Sequence, residues 1–431
     1  MSILRERASA LADVLDRHAQ ASAALIDAQL AVHRGIELLA EAVDQTEAQV
    51  QALNDRLAQP PVANGPWGPG ERSGHRWWSG VAFRGTIPPL LAFVQGPRAG
   101  VKIDLVQVFS PGNAGLNDSW EHIAGGPGDD PTKLDGTLTM TRGSKQAAVI
   151  WTDPLIGGLP VAYTIRPIPS CASNEDGKNP AVWEEIAKGE HDSVYRMLGR
   201  RMAHLDQKHN RTAPLILEIG HECSGGWYPH SIEGALPDGR FVWQIFPGAW
   251  ARIVEGIRQG YLSLGGKYCP YLFVFRPARG VLAGGVRLDR YLPPPGTWDA
   301  IGLSQHDNAP MCSAANPRAC WSPSVRKDGT VEMEGLLLLA EIADRHRRAI
   351  AILEWAGYPP DTATVYPGNP EGERFVAAFW DFCRTHSHLI AAECYFDRGA
   401  TGFAERPDWS ASIAYRARWG APQAWVPGAG A

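Results

Sequence analysis

The sequence predicts an α/β fold, a (β/α)8 TIM barrel preceded by a long N-terminal coiled-coil helix. Three observations predict it. The first 57 residues keep a heptad spacing of apolar positions, a Pro/Gly-rich break follows, and short apolar runs then alternate with amphipathic stretches to the end of the chain.

The heptad seam runs over residues 4–57 in alternating steps of three and four. It carries Leu4, Ala8, Leu11, Leu15, Leu25, Val32, Ile36, Leu39, Val43, Val50, Leu53 and Leu57. A period of 3.5 held that long imposes a supercoil, whereas a helix lying on a globule follows 3.6. His18, Ser22 and Gln29 interrupt the seam in its middle and set register. Residues 1–58 therefore read as a coiled-coil helix for oligomerisation or anchoring, a homo-oligomer of two or three strands. A long helix folded back on the domain is the alternative. Residues 59–75 read as a linker, because the Pro and Gly of "AQPPVANGPWGPGERSG" neither extend a helix nor join a sheet ladder.

Residues 76–420 read as the barrel and 421–431 as a tail. Strands are expected over 89–96, 102–110, 146–153, 213–222, 271–277, 298–307, 349–357 and 389–397, with helices over 181–208, 249–264, 335–347 and 371–387. Eight apolar strands separated by helices close into a barrel whose functional groups sit at the strand C-terminal ends. An open doubly wound sheet fits less well, since no Gly-rich phosphate loop follows the first strand.

Composition excludes several classes. A net charge of −5 and a pI near 6.2 lack the basic face that a nucleic-acid partner needs. The N-terminus has no apolar core of a secretory signal, and no run of eighteen apolar residues spans a membrane. The location expected is cytoplasmic or particle-associated, with release by lysis or non-classical export. Seven Cys are spread too widely for a disulfide framework or a zinc site, although Cys312 and Cys320 lie close enough to bridge one loop. No G-x-S-x-G elbow is present, and the His221, Glu222 and His230 spacing does not match a helical zinc motif, so no metal and no cofactor are expected.

The stretch "LILEIGHECSGGWYPHS" (215–231) drives a strand into His221 and Glu222, then a Gly-rich turn, then Trp227 and Tyr228. A charged pair where a buried strand opens into a loop is costly unless it is used. A second strand, "AIAILEWAG", carries Glu354 near its end. Counted in order, these are the fourth and seventh strands, and both carboxylates then face one cleft. Glycoside hydrolysis needs such a pair, one acid to protonate the leaving oxygen and one carboxylate at the anomeric centre. The structural alternative pairs Glu222 with Arg276. Glu218 alternates with Glu222 and is expected to require a cationic or hydrogen-bonding partner. His221, His230 and His306 are expected to contact substrate, with a satisfied core histidine the equal alternative for His221 and a solvated loop for His306. Trp355, Tyr395 and Phe396 are expected as cleft platforms, sugar-stacking surfaces among the sixteen Trp and other aromatics of the chain, with core packing the alternative for Trp355.

The blocks "EIAKGEHDSVYRMLGRRMAHL" (185–205), "GHECSGGWYPHS", "FPGAWARIVEGIR" (246–258), "WDAIGLSQHD" and "AILEWAG" resemble, in order, those of glycoside hydrolase family 26. That family is a clan A group of retaining β-mannanases and related endo-glycanases. The resemblance implies that Glu222 is the acid/base, Glu354 the nucleophile, His221 the His before the acid/base, and Trp227 and Tyr228 the aromatic pair lining the cleft. The chain departs from the family where Arg usually stands four residues before the acid/base, which here is Glu218. It also departs where a second Trp is replaced by His230, and where a Tyr near the nucleophile falls at Gln305 or His306. The function expected is a retaining endo-β-glycosidase acting on a β-linked polysaccharide, tethered by its coiled coil to a phage-like or cell-surface assembly. The alternative is a catalytically inactive polysaccharide-binding or structural module of such a particle.

Overall fold

The computed structural model describes residues 75–83, 101–109, 158–165, 180–226, 230–265, 269–278, 285–306, 335–357, 372–397 and 408–420, the strand segments 323–325 and 331–333, and isolated residues elsewhere. The chain divides into two compact units, Met1–Pro60 and Pro61–Ala431. Of the first unit only Arg7 and Leu11 are described, both helical and exposed. The rest of the heptad seam over 4–57, nearly all of the 59–75 linker and the 421–431 tail lie outside the described residues.

The second unit is a closed parallel barrel. Its strands are β1 (Trp78–Phe83), β2 (Leu105–Phe109), β3 (Val161–Ile165), β4 (Leu215–Ile219), β5 (Leu272–Phe275), β6 (Ala300–Ile301), β7 (Ala349–Ala356) and β8 (Ile390–Asp397). Each pairs in parallel with the next, and β8 returns to β1 with Trp78 opposite Ala392. A second short segment, Gln305–His306, extends the line of β6 and sets Gln305 opposite Trp355 and His306 opposite Ala356. The described helices are α1 (Pro180–Lys188), α2 (Asp192–His209), α3 (Val242–Leu262), α4 (Leu336–His346), α5 (Gly372–Thr385) and α6 (Ser410–Trp419). A small antiparallel hairpin, Pro323–Val325 with Val331–Met333, precedes α4. No helix among the described residues is long and apolar enough to cross a membrane.

The strands are continuous apolar runs because both faces are covered, one by the barrel interior and one by helices. Ile216, Leu217, Phe273, Val274, Ile350 and Ile352 are all fully buried. Helices α2 and α3 cross closely through small residues. A Cβ on Gly199 would fall 2.0 Å from the Ile257 carbonyl oxygen, and one on Gly260 would fall 2.0 Å from that of Arg196.

Three expected elements change. The third strand is Val161–Ile165, not 146–153, where the one described residue, Trp151, is helical and buried. The single helix expected over 181–208 is two, α1 and α2, separated at Gly189 with φ +86°. The first strand is Trp78–Phe83, and the 89–96 run expected for it lies outside the described residues. The later strands fall within their expected spans.

Candidate active site

The interior of the barrel is polar at its C-terminal end. On β4 the alternation of side chains sends Glu218 inward while Leu217 and Ile219 face the helices. Glu218 has no exposed surface. One of its oxygens accepts from Arg276 Nε, and the other accepts from Thr164 Oγ1 and, at 2.8 Å, from Gln107 Nε2. The partner expected for this buried carboxylate is therefore present, delivered from β2, β3 and the end of β5. Burial pushes the Glu218 carboxyl up, against the pull of the Arg276 charge and its hydrogen bonds.

Arg276, also fully buried, continues the network toward the cleft. Its Nη1 donates to Ser304 Oγ, and its Nη2 donates to Glu354 Oε2 at 3.1 Å. His306 Nε2 lies 3.5 Å from the other oxygen, Glu354 Oε1. Burial alone would raise the Glu354 carboxyl. The His306 hydrogen bond and the Arg276 charge outweigh it and hold Glu354 down at about 2.

Glu222 sits three residues beyond β4, on a turn that the chain bends sharply to make. Gly220 has φ +60°, and a Cβ there would meet Pro167 Cγ at 2.9 Å. Glu222 itself has φ +54°. The other described non-glycine residues with positive φ, Asn210 and Arg347, are helix C-caps, so Glu222 alone among them holds this conformation in a loop. A left-handed backbone costs an L-residue roughly 1–2 kcal/mol, and such strain clusters at functional sites. The turn is pinned by Glu222 N–H donating to the Arg276 carbonyl at 2.8 Å and by Gly225 N–H donating back to the Glu222 carbonyl at 2.8 Å. The structural alternative gave Arg276 to Glu222; the guanidinium ion-pairs with Glu218 and Glu354 and also interacts electrostatically with Glu222, and its main chain holds the Glu222 turn.

A carboxylate oxygen of Glu222, an imidazole nitrogen of His306 and a carboxylate oxygen of Glu354 all lie within 4.8 Å of one another. Among the described residues this is the group whose donor set could hold a metal ion. Arg276 already neutralises Glu354, which weakens the site for a dication.

The remaining expected residues divide. His221, Tyr228 and His230 form a ring cluster beside Glu222. Tyr228 meets His221 edge-on at 4.6 Å and stacks on His230 at 5.1 Å. His230 is buried, with Nε2 2.8 Å from the His221 carbonyl oxygen, so it braces the turn from beneath. Phe396 on β8 approaches His306 at 6.1 Å. Trp227 lies outside the described residues, as do Cys312 and Cys320. The described cysteines, Cys223, Cys269, Cys383 and Cys394, are free and buried.

Trp355 and Tyr395 do not line the cleft, a correction to the expectation. Because Glu354 points inward, its neighbour Trp355 points outward. The indole is fully buried, 4.3 Å from Phe379 of α5 and 5.0 Å from Trp419 of α6. Tyr395 packs edge-on against Trp355 at 5.1 Å in the same layer. Sequence reasoning missed the acid enclosed there. Glu393 accepts from Ser79 Oγ at 2.5 Å, Trp355 Nε1 at 2.6 Å and Trp419 Nε1 at 2.8 Å. Burial pushes this carboxyl up to about 7, against its side-chain hydrogen-bond donors. The native state thus binds the proton more tightly than the unfolded chain does. The associated stability is complete below pH 4.5 and is lost as pH rises through about 7, a change on the order of 3 kcal/mol. Thermal melts should show wild type losing stability relative to Glu393→Gln between pH 4.5 and 8. A constant difference between the two would refute the assignment.

No protein-family model matches the chain, and no curated protein matches it. Solved structures do. A Cellulomonas fimi endo-β-1,4-mannanase double mutant superposes with a TM-score of 0.51 at 14% identity, over 82% of this chain and 72% of that one. A modular endo-β-1,4-mannanase from Cellulomonas fimi, described with glycoside hydrolase family 26 mannanases, gives 0.51 at 16% identity, over 84% and 76%. The chain is thus similar in fold to family 26 mannanases.

Proposed function

We propose that this protein is a retaining endo-β-glycosidase acting on a β-linked polysaccharide, with Glu222 as acid/base and Glu354 as nucleophile. The observation that carries the proposal is that one oxygen of each carboxylate lies within 4.8 Å of the other, one carboxylate beyond β4 and one on β7. Retaining enzymes hold the two groups about 5–5.5 Å apart, whereas inverting enzymes leave roughly 6.5–9.5 Å for a water.

Each residue has a distinct task in this mechanism. Arg276 and His306 keep Glu354 ionised, as a nucleophile requires. Glu354 attacks the anomeric carbon while Glu222 gives its proton to the departing glycosidic oxygen. The C–O bond to the leaving sugar breaks, and a covalent glycosyl ester on Glu354 forms. Glu222, now a carboxylate, takes a proton from water, which displaces Glu354 and restores both groups. Tyr228 and His221 wall the Glu222 side of the cleft, and Phe396 the His306 side. In the same proposal, residues 4–57 self-associate and carry several barrels on a phage-like or cell-surface assembly. Avidity for a polymer then exceeds that of one site.

The solved neighbours are named endo-β-1,4-mannanases, so β-1,4-mannan heads the panel of β-glycans to be assayed. On the polymer that is cleaved, proton NMR of the first product should show the β-anomer appearing before mutarotation. The α-anomer appearing first would overturn the retaining assignment. Binding with no new reducing ends would favour the non-catalytic module.

A further inference from the structure

We propose that Glu218 is a positioning residue that acts on Glu354 through Arg276, aiming the guanidinium at the end of β5 toward the carboxylate on β7. This rests on the reading of Glu354 as the reacting carboxylate, and adds a residue that never touches substrate.

The argument starts from the geometry of the guanidinium. An unheld arginine has several rotatable bonds and would lose much of its entropy on docking to a single carboxylate oxygen. Here Nε is fixed by Glu218 and Nη1 by Ser304, which leaves Nη2 directed at Glu354 Oε2. Glu218 is in turn fixed from two other strands, by Gln107 and Thr164, whose side chains also bond each other at 2.9 Å. Four strands thus contribute to placing one N–H. Glu218, Arg276 and Gln107 have little or no exposed surface, so water does not substitute for any of these bonds. A buried carboxylate with three donors aimed at it is costly to build and is not explained by packing alone.

The charges around Glu354 make its ionisation the natural readout. It faces the cation Arg276, the imidazoles His306 and His221, and the carboxyl groups of Glu222 and, across Arg276, Glu218. If Glu218 aims Arg276, its removal lets the guanidinium swing away and the Glu354 midpoint rises. An opposite charge within about 4–6 Å is worth roughly 1–3 pH units to a carboxylate.

The test titrates the full chain, labelled with carboxyl-13C glutamate, from pH 3 to 8. The Glu354 resonance is identified by its loss in Glu354→Gln. In wild type Glu354 should stay ionised across the range. In Glu218→Ala its midpoint should move up into the range, by about one unit or more. Glu218→Gln keeps an amide oxygen for Arg276 Nε and should restore wild-type behaviour. An unchanged titration in Glu218→Ala, or an equal shift in Glu218→Gln, would overturn the proposal. Should Glu218→Ala not fold, the double variant Glu218→Leu with Arg276→Met removes the buried pair together. A wild-type titration there would overturn it equally. None of these measurements needs a substrate. A shifted midpoint in a protein that hydrolyses nothing would keep the relay and discard the glycosidase. Hydrolysis with an unshifted midpoint would do the reverse.

Discussion

Glu354→Gln is expected to lower turnover of the cleaved polysaccharide by on the order of 10⁴-fold or more, the scale on which loss of a nucleophile is felt. The amide matches the carboxylate in shape and can still accept from Arg276 Nη2, so the cleft keeps its form. What is lost is the attacking charge, and with it the covalent intermediate. Stability should fall by no more than on the order of 3 kcal/mol near neutrality, because the native state favours the ionised form over the neutral one. The sign is opposite to that of Glu393. A carboxyl held down at about 2 contributes stability above pH 4.5 and loses it as pH falls toward 2, so the variant and wild type should converge in acid. Kinetics on the purified variant, with melts at pH 3 and 7, check both parts. Activity within tenfold of wild type would remove Glu354 from the chemistry.

Arg276→Met is expected to carry the largest stability cost of any substitution at the site, about 3–5 kcal/mol. Methionine fills much of the volume but leaves Glu218 buried without its cation, with Thr164 and Gln107 as its remaining partners. Breaking one side of a buried pair is worse than removing both, so adding Glu218→Leu should recover a large part of the loss. Denaturant unfolding of wild type, each single variant and the double variant gives the coupling directly. A loss below about 1 kcal/mol for Arg276→Met would mean that Glu218 is not held as a charge.

Much of this arrangement was legible in the sequence, and the rest failed for identifiable reasons. The strands from β4 onward announced themselves as apolar runs, and their count put Glu222 at the end of the fourth and Glu354 near the end of the seventh, although the fourth stops three residues short of Glu222. The third strand was misassigned because "QAAVIWTD" and "VAYTI" are both short apolar runs, and periodicity cannot rank them. Trp355 and Tyr395 were misread through attention to residue type instead of alternation. Once Glu354 faces inward, Trp355 must face the helices, and Tyr395, two residues from Glu393, shares its outward face. The Glu393 cage had no local signal, since its donors lie at Ser79, Trp355 and Trp419, far apart in the chain. Glu218 was recognised as needing a partner, but which cation would reach it depended on the closure of the barrel.

The central claim is that Glu354 forms a covalent bond to sugar, and mass spectrometry tests it most directly. The full chain is incubated with an activated 2-deoxy-2-fluoro β-glycoside of the sugar that it cleaves, then digested and mapped. A single fluoroglycosyl adduct on the peptide bearing Glu354, absent from Glu354→Gln, is the result expected. An adduct on another residue, or a product released with inverted configuration and no adduct at all, would contradict it.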